Sequence, residues 1–237
     1  MLPVRLQART NRAAGLLHRI QGTHVRPALA SSFGAEDMVL IDLIARERFR
    51  IDVFTLDTGR LPRETLELLA TTRSHYAIGI DVYTPAAANV DAFVASYGID
   101  GFYASVEARK ACCAARKVEP LRRALHGRTA WITGLRRAQS DTRADAGESE
   151  YDAVHGIAKF NPLADWTEDD VWTYLRGYHV PYNALHDRGY PSIGCAPCTR
   201  AIKPGEHPRA GRWWWEQGGA RKECGLHEIP VRIAAKA

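Results

Sequence analysis

No stretch of the 237 residues approaches the ~18 consecutive apolar side chains that a membrane-spanning helix needs. The opening Met-Leu-Pro-Val-Arg-Leu-Gln-Ala-Arg has no apolar core of the secretory kind, so a cytoplasmic location is expected. Neither the Walker pattern nor Gly-x-Gly-x-x-Gly occurs, and neither familiar phosphate fingerprint is therefore in use. There is no internal repeat, no low-complexity tract and no long run of basic residues. Positive charge comes instead in short groups, such as Arg136-Arg137 and Arg209 with Arg212. That scatter argues for a small-anion pocket rather than a nucleic-acid surface. Cysteine is scarce as well, five residues in all. A chain of this length buries a full core without disulfides, and in a reducing compartment paired cysteines favour metal or redox chemistry.

What is present is an ordinary globular composition, 46% hydrophobic and 25% charged, with a net charge of +5 that favours an anionic partner. Residues 1–26 read as an amphipathic amino-terminal helical segment. Strand-like and helix-like stretches then alternate. Strands are expected at Pro27–Ser32, Ile51–Leu56, Ile78–Tyr83 and Ala130–Thr133. Helices are expected at Met38–Ala45, Glu64–Thr72 behind Pro62, Asn89–Tyr97 and Val106–Leu125, and at Asp169–Tyr178 with Thr167 as its cap. Residues 138–151 read as a polar loop. Such alternation predicts an α/β fold, a parallel β-sheet flanked by helices, in a domain over 27–190. The remainder, 191–237, rich in Pro and Gly at its start, reads as an irregular extension packed on that domain.

In such sheets ligands bind beyond the carboxyl ends of the strands. Ser31–Asp37, Asp57–Arg60 and Gly134–Arg137 fall at three such ends, so their loops are expected to line one crevice. Ser31-Ser-Phe-Gly-Ala-Glu-Asp37, between a strand and a helix, offers backbone N–H groups to an anion, or serves as a plain structural turn. Arg136, Arg137 and Arg143 supply guanidinium forks suited to phosphate and sulfate, or form a solvated loop.

Four cysteines fall into Cys112-Cys113 and Cys195-Ala-Pro-Cys198. A single zinc would need all four thiolates around one ion, which adjacent residues achieve only with strain. An iron–sulfur cubane has separate corners, and the pattern favours it. Cys224 stands apart, with Arg221, Lys222 and His227 close by in sequence. Positive neighbours raise the thiolate fraction and with it the nucleophilicity available at neutral pH. The Trp213-Trp-Trp215 triplet reads most simply as packing surface.

Taken in order, several segments resemble the assimilatory sulfonucleotide reductases over about residues 28–228. They are Ser-Ser-Phe-Gly-Ala-Glu-Asp, Leu56-Asp-Thr-Gly-Arg60, Cys112-Cys113 with Arg116-Lys117, Gly134-Leu-Arg-Arg-Ala-Gln-Ser140, Lys159-Phe-Asn-Pro-Leu163, Ser192-Ile-Gly-Cys-Ala-Pro-Cys-Thr199, Arg212-Trp-Trp-Trp-Glu216 and Glu223-Cys-Gly-Leu-His227. The two cysteine pairs are similar to those of the iron–sulfur branch, which acts on adenosine 5′-phosphosulfate (APS). The resemblance implies an adenine nucleotide alpha hydrolase-like, Rossmann-like fold. It also implies a [4Fe-4S] cluster on Cys112, Cys113, Cys195 and Cys198, and Cys224 as nucleophile. Lys117 would link cluster and substrate. His227 would support the reaction, or stand as an ordinary surface histidine. Arg143, Arg209 and Arg212 would clamp phosphate and sulfate, and Ser31, Ser32 and Gly134 the adenosine. Gly34, Asp57, Gly59, Arg60 and Arg136 complete the expected substrate contacts.

The expected partners are APS, the product AMP, and thioredoxin or a glutaredoxin-like reductant, with no nucleic acid and no membrane; homo-oligomerisation is left open. Three other readings compete: a reductase preferring or also accepting the 3′-phosphorylated nucleotide (PAPS), a tRNA-thiolating ATPase of related fold, and a structural zinc site in a nucleic-acid-binding module. The loop lacks the Ser-Gly-Gly-x-Asp-Ser of ATP-cleaving relatives, which counts against ATP hydrolysis.

Overall fold

The computed structural model describes residues 2–140 and 143–216. Cys224 and His227 lie outside the described residues.

Six strands form one sheet: β1 (Ala28–Ser31), β2 (Asp52–Leu56), β3 (Asp81–Tyr83), β4 (Ala130–Ile132), β5 (Ser149–Asp152) and β6 (Ile157–Phe160). Their spatial order is β3-β2-β1-β4-β6-β5, and every pairing is parallel except β5 with β6. Among the described residues seven α-helices accompany them: α1 (Val4–Thr23), α2 (Ala35–Arg46), α3 (Arg63–Tyr76), α4 (Ala87–Tyr97), α5 (Val106–Cys113), α6 (Glu119–Leu125) and α7 (Glu168–Gly177). The α/β expectation holds, and the strand order reverses beside β1, where such sheets leave a crevice.

The strands alternate their side chains between two cores. Leu29, Val53, Ala130 and Ile132 join α1, α2 and α7 residues such as Leu17, Met38 and Leu175 in the larger one. Ala28, Phe54 and Trp131 face Leu121, Ala124 and Leu125 of α6 on the other side. Burial on both faces is why these strands read as apolar runs. α7 starts as expected: Thr167 Oγ1 accepts from Asp170 N at 3.1 Å, and Asp170 Oδ2 accepts from Thr167 N at 2.9 Å.

Three expectations need correction. The polar stretch taken as loop through Tyr151 ends in β5, half of a β5–β6 hairpin on the sheet edge. The third strand covers only Asp81–Tyr83, because Ile78–Ile80 runs in before pairing begins. The helix expected over Val106–Leu125 is broken by a π-turn at Ala114–Val118. Pro120 explains the break, since its ring removes a donor and clashes with the carbonyl four residues back. Among the described residues no helix is long and apolar enough to cross a membrane.

Candidate active site

A cavity of about 270 Å³ opens at the carboxyl ends of β1, β2 and β4. Its lining includes Ser31, Ser32, Gly34, Gly134, Arg136, Arg143, Arg209 and Arg212, so eight of the expected substrate residues do converge. From the second loop the structure supplies Thr58 instead of Asp57, Gly59 or Arg60. Asp57 shapes the turn, accepting from Gly59 N at 2.9 Å, and Gly59 takes φ +68°. Arg60 turns away to Asp100 at 3.2 Å and borders the cysteines.

Lys117, Arg143, Arg209 and Arg212 bring cationic side chains to the cavity. Arg212 is 7% exposed. Its Nη1 donates to Ile193 O at 3.1 Å and to Ser192 Oγ at 3.4 Å, whereas Nε has no partner. A buried guanidinium N–H left unpaired by the protein is costly, and an anionic ligand removes the cost. Trp213 is buried between Arg212 and Arg109, whose guanidinium carbons stand 4.7 and 4.4 Å from its ring centroid. Trp215 packs on Phe102 and Tyr103, so the tryptophan triplet is largely packing surface, with Trp214 exposed.

The β1–α2 loop turns several of its polar groups on itself. Ser32 N and Ser32 Oγ both donate to Asp37 Oδ2, at 2.7 and 2.9 Å, and Phe33 N donates to Ser31 Oγ at 3.1 Å. The first turn of α2 carries two carboxylates of its own, Glu36 and Asp37. Burial pushes the Asp37 carboxyl up to about 6 against the Ser32 bonds, with the charge of Glu36 adding to the rise. Gly134 is a glycine because these groups crowd it: a Cβ there would stand 2.4 Å from Asp37 Oδ1 and 2.9 Å from Glu36 Cβ. Below it, Thr133 Oγ1 donates to Asn161 Oδ1 at 2.6 Å and Asn161 Nδ2 to Gly147 O at 2.7 Å. The Lys-Phe-Asn-Pro-Leu segment therefore braces the arginine loop from beneath.

Cys112, Cys113, Cys195 and Cys198 are free thiols that border one small chamber together with Arg60, Arg109, Arg116 and Lys117. Lys117 borders both this chamber and the cavity. α5 and the π-turn deliver the first pair and three of the cations, Arg109, Arg116 and Lys117. The second pair sits on a short turn held by Ala196 N donating to Arg60 O at 2.8 Å. Thr58 Oγ1 lies 3.3 Å from Cys195 Sγ. Burial raises the Cys112 thiol, and burial with the neighbouring Cys195 and Cys113 pushes Cys198 up to about 12. Burial acts on Cys195 too, but Lys117, Thr58, Arg212 and Arg116 outweigh it and lower its pKa.

Thiols gathered here, two of which, Cys112 and Cys198, resist ionisation, suit a cationic metal centre, which reverses that penalty. Among the described residues no three Cys, His, Asp or Glu side chains converge as closely as one metal ion requires. Thiols spread around a chamber fit a polynuclear cluster with separate corners better than a single zinc.

Sequence reasoning missed Glu36, Asp37, Thr58, Arg116 and His186. Arg116 Nη1 donates to Thr58 O at 2.8 Å, tying the π-turn to the β2 loop. His186 borders the cavity edge-on to Trp172 at 5.2 Å, with both ring nitrogens buried and unbonded. Burial lowers its pKa, leaving a neutral imidazole. Glu36, Asp37, Thr58 and Arg116 lie inside segments that carry the resemblance but have no expected role of their own there, and His186 lies in none of them.

A crevice at the strand ends, a cationic pocket and a thiol chamber sharing one lysine define a nucleotide-binding α/β protein with adjoining sulfur chemistry. The sequence matches the phosphoadenosine phosphosulfate reductase domain over residues 26–201. It is 60% identical over 198 residues to an adenosine 5′-phosphosulfate reductase of Allochromatium vinosum, covering 84% of this chain and 77% of the relative. It is 54% identical over 237 residues to the Burkholderia cepacia protein of the same name, covering 98% and 94%. A crystal structure of phosphoadenylyl-sulfate (PAPS) reductase from Candida auris, a phosphate complex, superposes with a TM-score of 0.68 at 25% identity, covering 83% of this chain and 97% of the other. The chain belongs to the sulfonucleotide reductase family and falls within its adenosine 5′-phosphosulfate reductases.

Proposed function

We propose that this chain reduces APS to sulfite and AMP, with Cys224 as the nucleophile and a thioredoxin-type dithiol as reductant. The carrying observation is Arg212, a buried guanidinium whose Nε is unbonded, in a cavity wall that also holds Lys117, Arg143 and Arg209. The choice of APS over PAPS follows the relatives that share more than half of its residues.

In the reaction the Cys224 thiolate attacks the sulfate sulfur of APS. A sulfur–sulfur bond forms, the bond from that sulfur to the bridging oxygen breaks, and AMP leaves with the electron pair. The product on the protein is S-sulfocysteine. A thiolate of the reductant then attacks Cys224 Sγ, sulfite departs with the electron pair, and the second thiol resolves the mixed disulfide. The two electrons come from the dithiol, which is oxidised. A thiolate and a phosphosulfate repel each other, so fixed cations are needed where they meet. Arg143, Arg209, Arg212 and Lys117 hold the anionic end and stabilise charge developing on the leaving phosphate. Ser31, Ser32 and Gly134 border the adenosine end.

Cys112, Cys113, Cys195 and Cys198 would hold a [4Fe-4S] cluster. When bound it would polarise its surroundings without an obligatory change of oxidation state. Lys117 is placed to face both that group and the substrate.

The test is anaerobic incubation of the purified protein with APS and reduced thioredoxin. Sulfite and AMP should appear in equal amounts, and Cys224→Ser should abolish both while keeping the iron. Turnover by that variant, or a requirement for ATP, contradicts the proposal.

A further inference from the structure

Part of the cavity wall carries carboxylates. Where the β1–α2 loop and the end of β4 meet, Glu36, Asp37 and Arg136 border the cavity, and Arg143 is anchored to the same loop by donating to Gln139 Oε1 at 2.6 Å. Arg136 Nε donates to Glu36 Oε1 at 2.7 Å, and their side chains are 7% and 15% exposed. Arg136 is therefore already neutralised. Asp37 has no cation within bonding distance among the described residues; its Oδ2 accepts from Ser32 N and Ser32 Oγ. Its carboxylate is buried at the cavity wall, pressed against Gly134.

We propose that Glu36 and Asp37 are specificity-determining residues that reject adenosine nucleotides carrying a second phosphate on the ribose. The proposal rests on the reading that APS is the substrate. With the 5′-phosphosulfate held by Lys117, Arg143, Arg209 and Arg212, the adenosine half extends toward the carboxylates. A ribose hydroxyl there can donate to a carboxylate oxygen. A phosphate in its place meets a like charge in a poorly solvated wall, and Glu36 occupies the arginine that would otherwise receive it. Discrimination thus has two parts, a repulsive group and a cation withheld. Two unit charges a few ångströms apart at a protein surface are enough for roughly 100-fold selection.

The experiment compares the affinity of AMP with that of adenosine 3′,5′-bisphosphate by titration calorimetry on the holoenzyme, beside kcat/KM for APS and PAPS. The wild-type protein should bind AMP about 100-fold more tightly than the bisphosphate. Glu36→Gln frees Arg136 and should narrow that ratio about 10-fold, by tighter bisphosphate binding. Adding Arg136→Gln should erase the gain. Asp37→Asn should narrow the ratio comparably, and because Asp37 also holds Ser32, Glu36→Gln decides the matter if that variant does not fold. An unchanged ratio in Glu36→Gln overturns the proposal, as does a gain that survives Arg136→Gln. A wild-type protein that yields no sulfite from APS refutes the substrate reading instead, and the nucleotide ratios still decide this one. A wild-type preference for PAPS overturns both.

Discussion

Gly194 and Arg212 share one space: a Cβ on Gly194 would stand 2.4 Å from Arg212 Nη2 and 2.6 Å from its Cζ. The glycine that precedes Cys195 is thus the room the guanidinium occupies. Arg212 also reaches back through the backbone, pairing with Thr199 just past Cys198. The Cys-x-x-Cys turn and the anion site are one construction, not neighbours by accident of sequence.

Gly194→Ala should therefore act on substrate rather than on the fold. The arginine must move, and losing a charge-assisted contact worth ~1.5–3 kcal/mol weakens anion binding about 10- to 100-fold. The AMP dissociation constant measured by calorimetry should rise accordingly, with iron per chain unchanged. Wild-type affinity in this variant would show that Arg212 does not contact the anion.

Lys117 borders both the cavity and the thiol chamber. Lys117→Met keeps much of the stem's volume and removes the charge. Loss of one fixed cation from an excluded site typically lowers turnover by about 10²-fold. The expected result is that loss in kcat/KM for APS with iron retained. If iron is lost in proportion to activity, the lysine serves the chamber alone.

Asp37 gives a pH signature in stability. Its folded value of about 6 lies above its ordinary 3.8, so the folded state holds the proton more tightly. Its contribution is fully favourable below about pH 4 and is lost as pH rises through about 6. The displacement corresponds to about 3 kcal/mol. Asp37→Asn, which cannot ionise, should gain on the wild type by up to that amount between pH 4 and pH 7.5. Denaturant titrations at several pH values measure it, and a flat difference contradicts the burial argument.

Asp42 joins two helices from inside the core. Its carboxylate accepts from Tyr174 Oη at 2.6 Å and Tyr76 Oη at 2.9 Å, with Arg46 at 3.5 Å. Burial first, and then the Asp42 charge, raises the Tyr174 phenol, so it remains a donor. Tyr174→Phe should cost ~1–3 kcal/mol in unfolding free energy. Activity at saturating substrate should stay at wild-type level, since none of Asp42, Arg46, Tyr76 and Tyr174 lines the cavity. An equal loss of activity would contradict that separation.

The parts of the fold that sequence reveals are those buried on both faces. β1, β2 and β4 are short apolar runs because each packs against helices above and below. β5 escapes notice because it is an edge strand with Ser149 and Tyr151 exposed, and its alternation is weak. The π-turn follows from Pro120, whose effect on the preceding carbonyl is local yet easily passed over within an apparently continuous helix. At the site, the cysteines and arginines are legible because their types and spacing are rare. Glu36, Asp37 and Thr58 are not, because their roles come from partners far away in the chain. Glu36 meets Arg136, and Thr58 meets Cys195, only once the sheet has assembled.

Covalent chemistry at Cys224 is the centre of the account, and intact-protein and peptide mass spectrometry tests it most directly. Holoenzyme mixed with APS in the absence of any reductant should gain one SO₃ group on the Cys224 peptide, and thioredoxin should remove it with release of sulfite. An unmodified Cys224 under conditions where AMP is released, or a modification carried by another residue, would contradict the account.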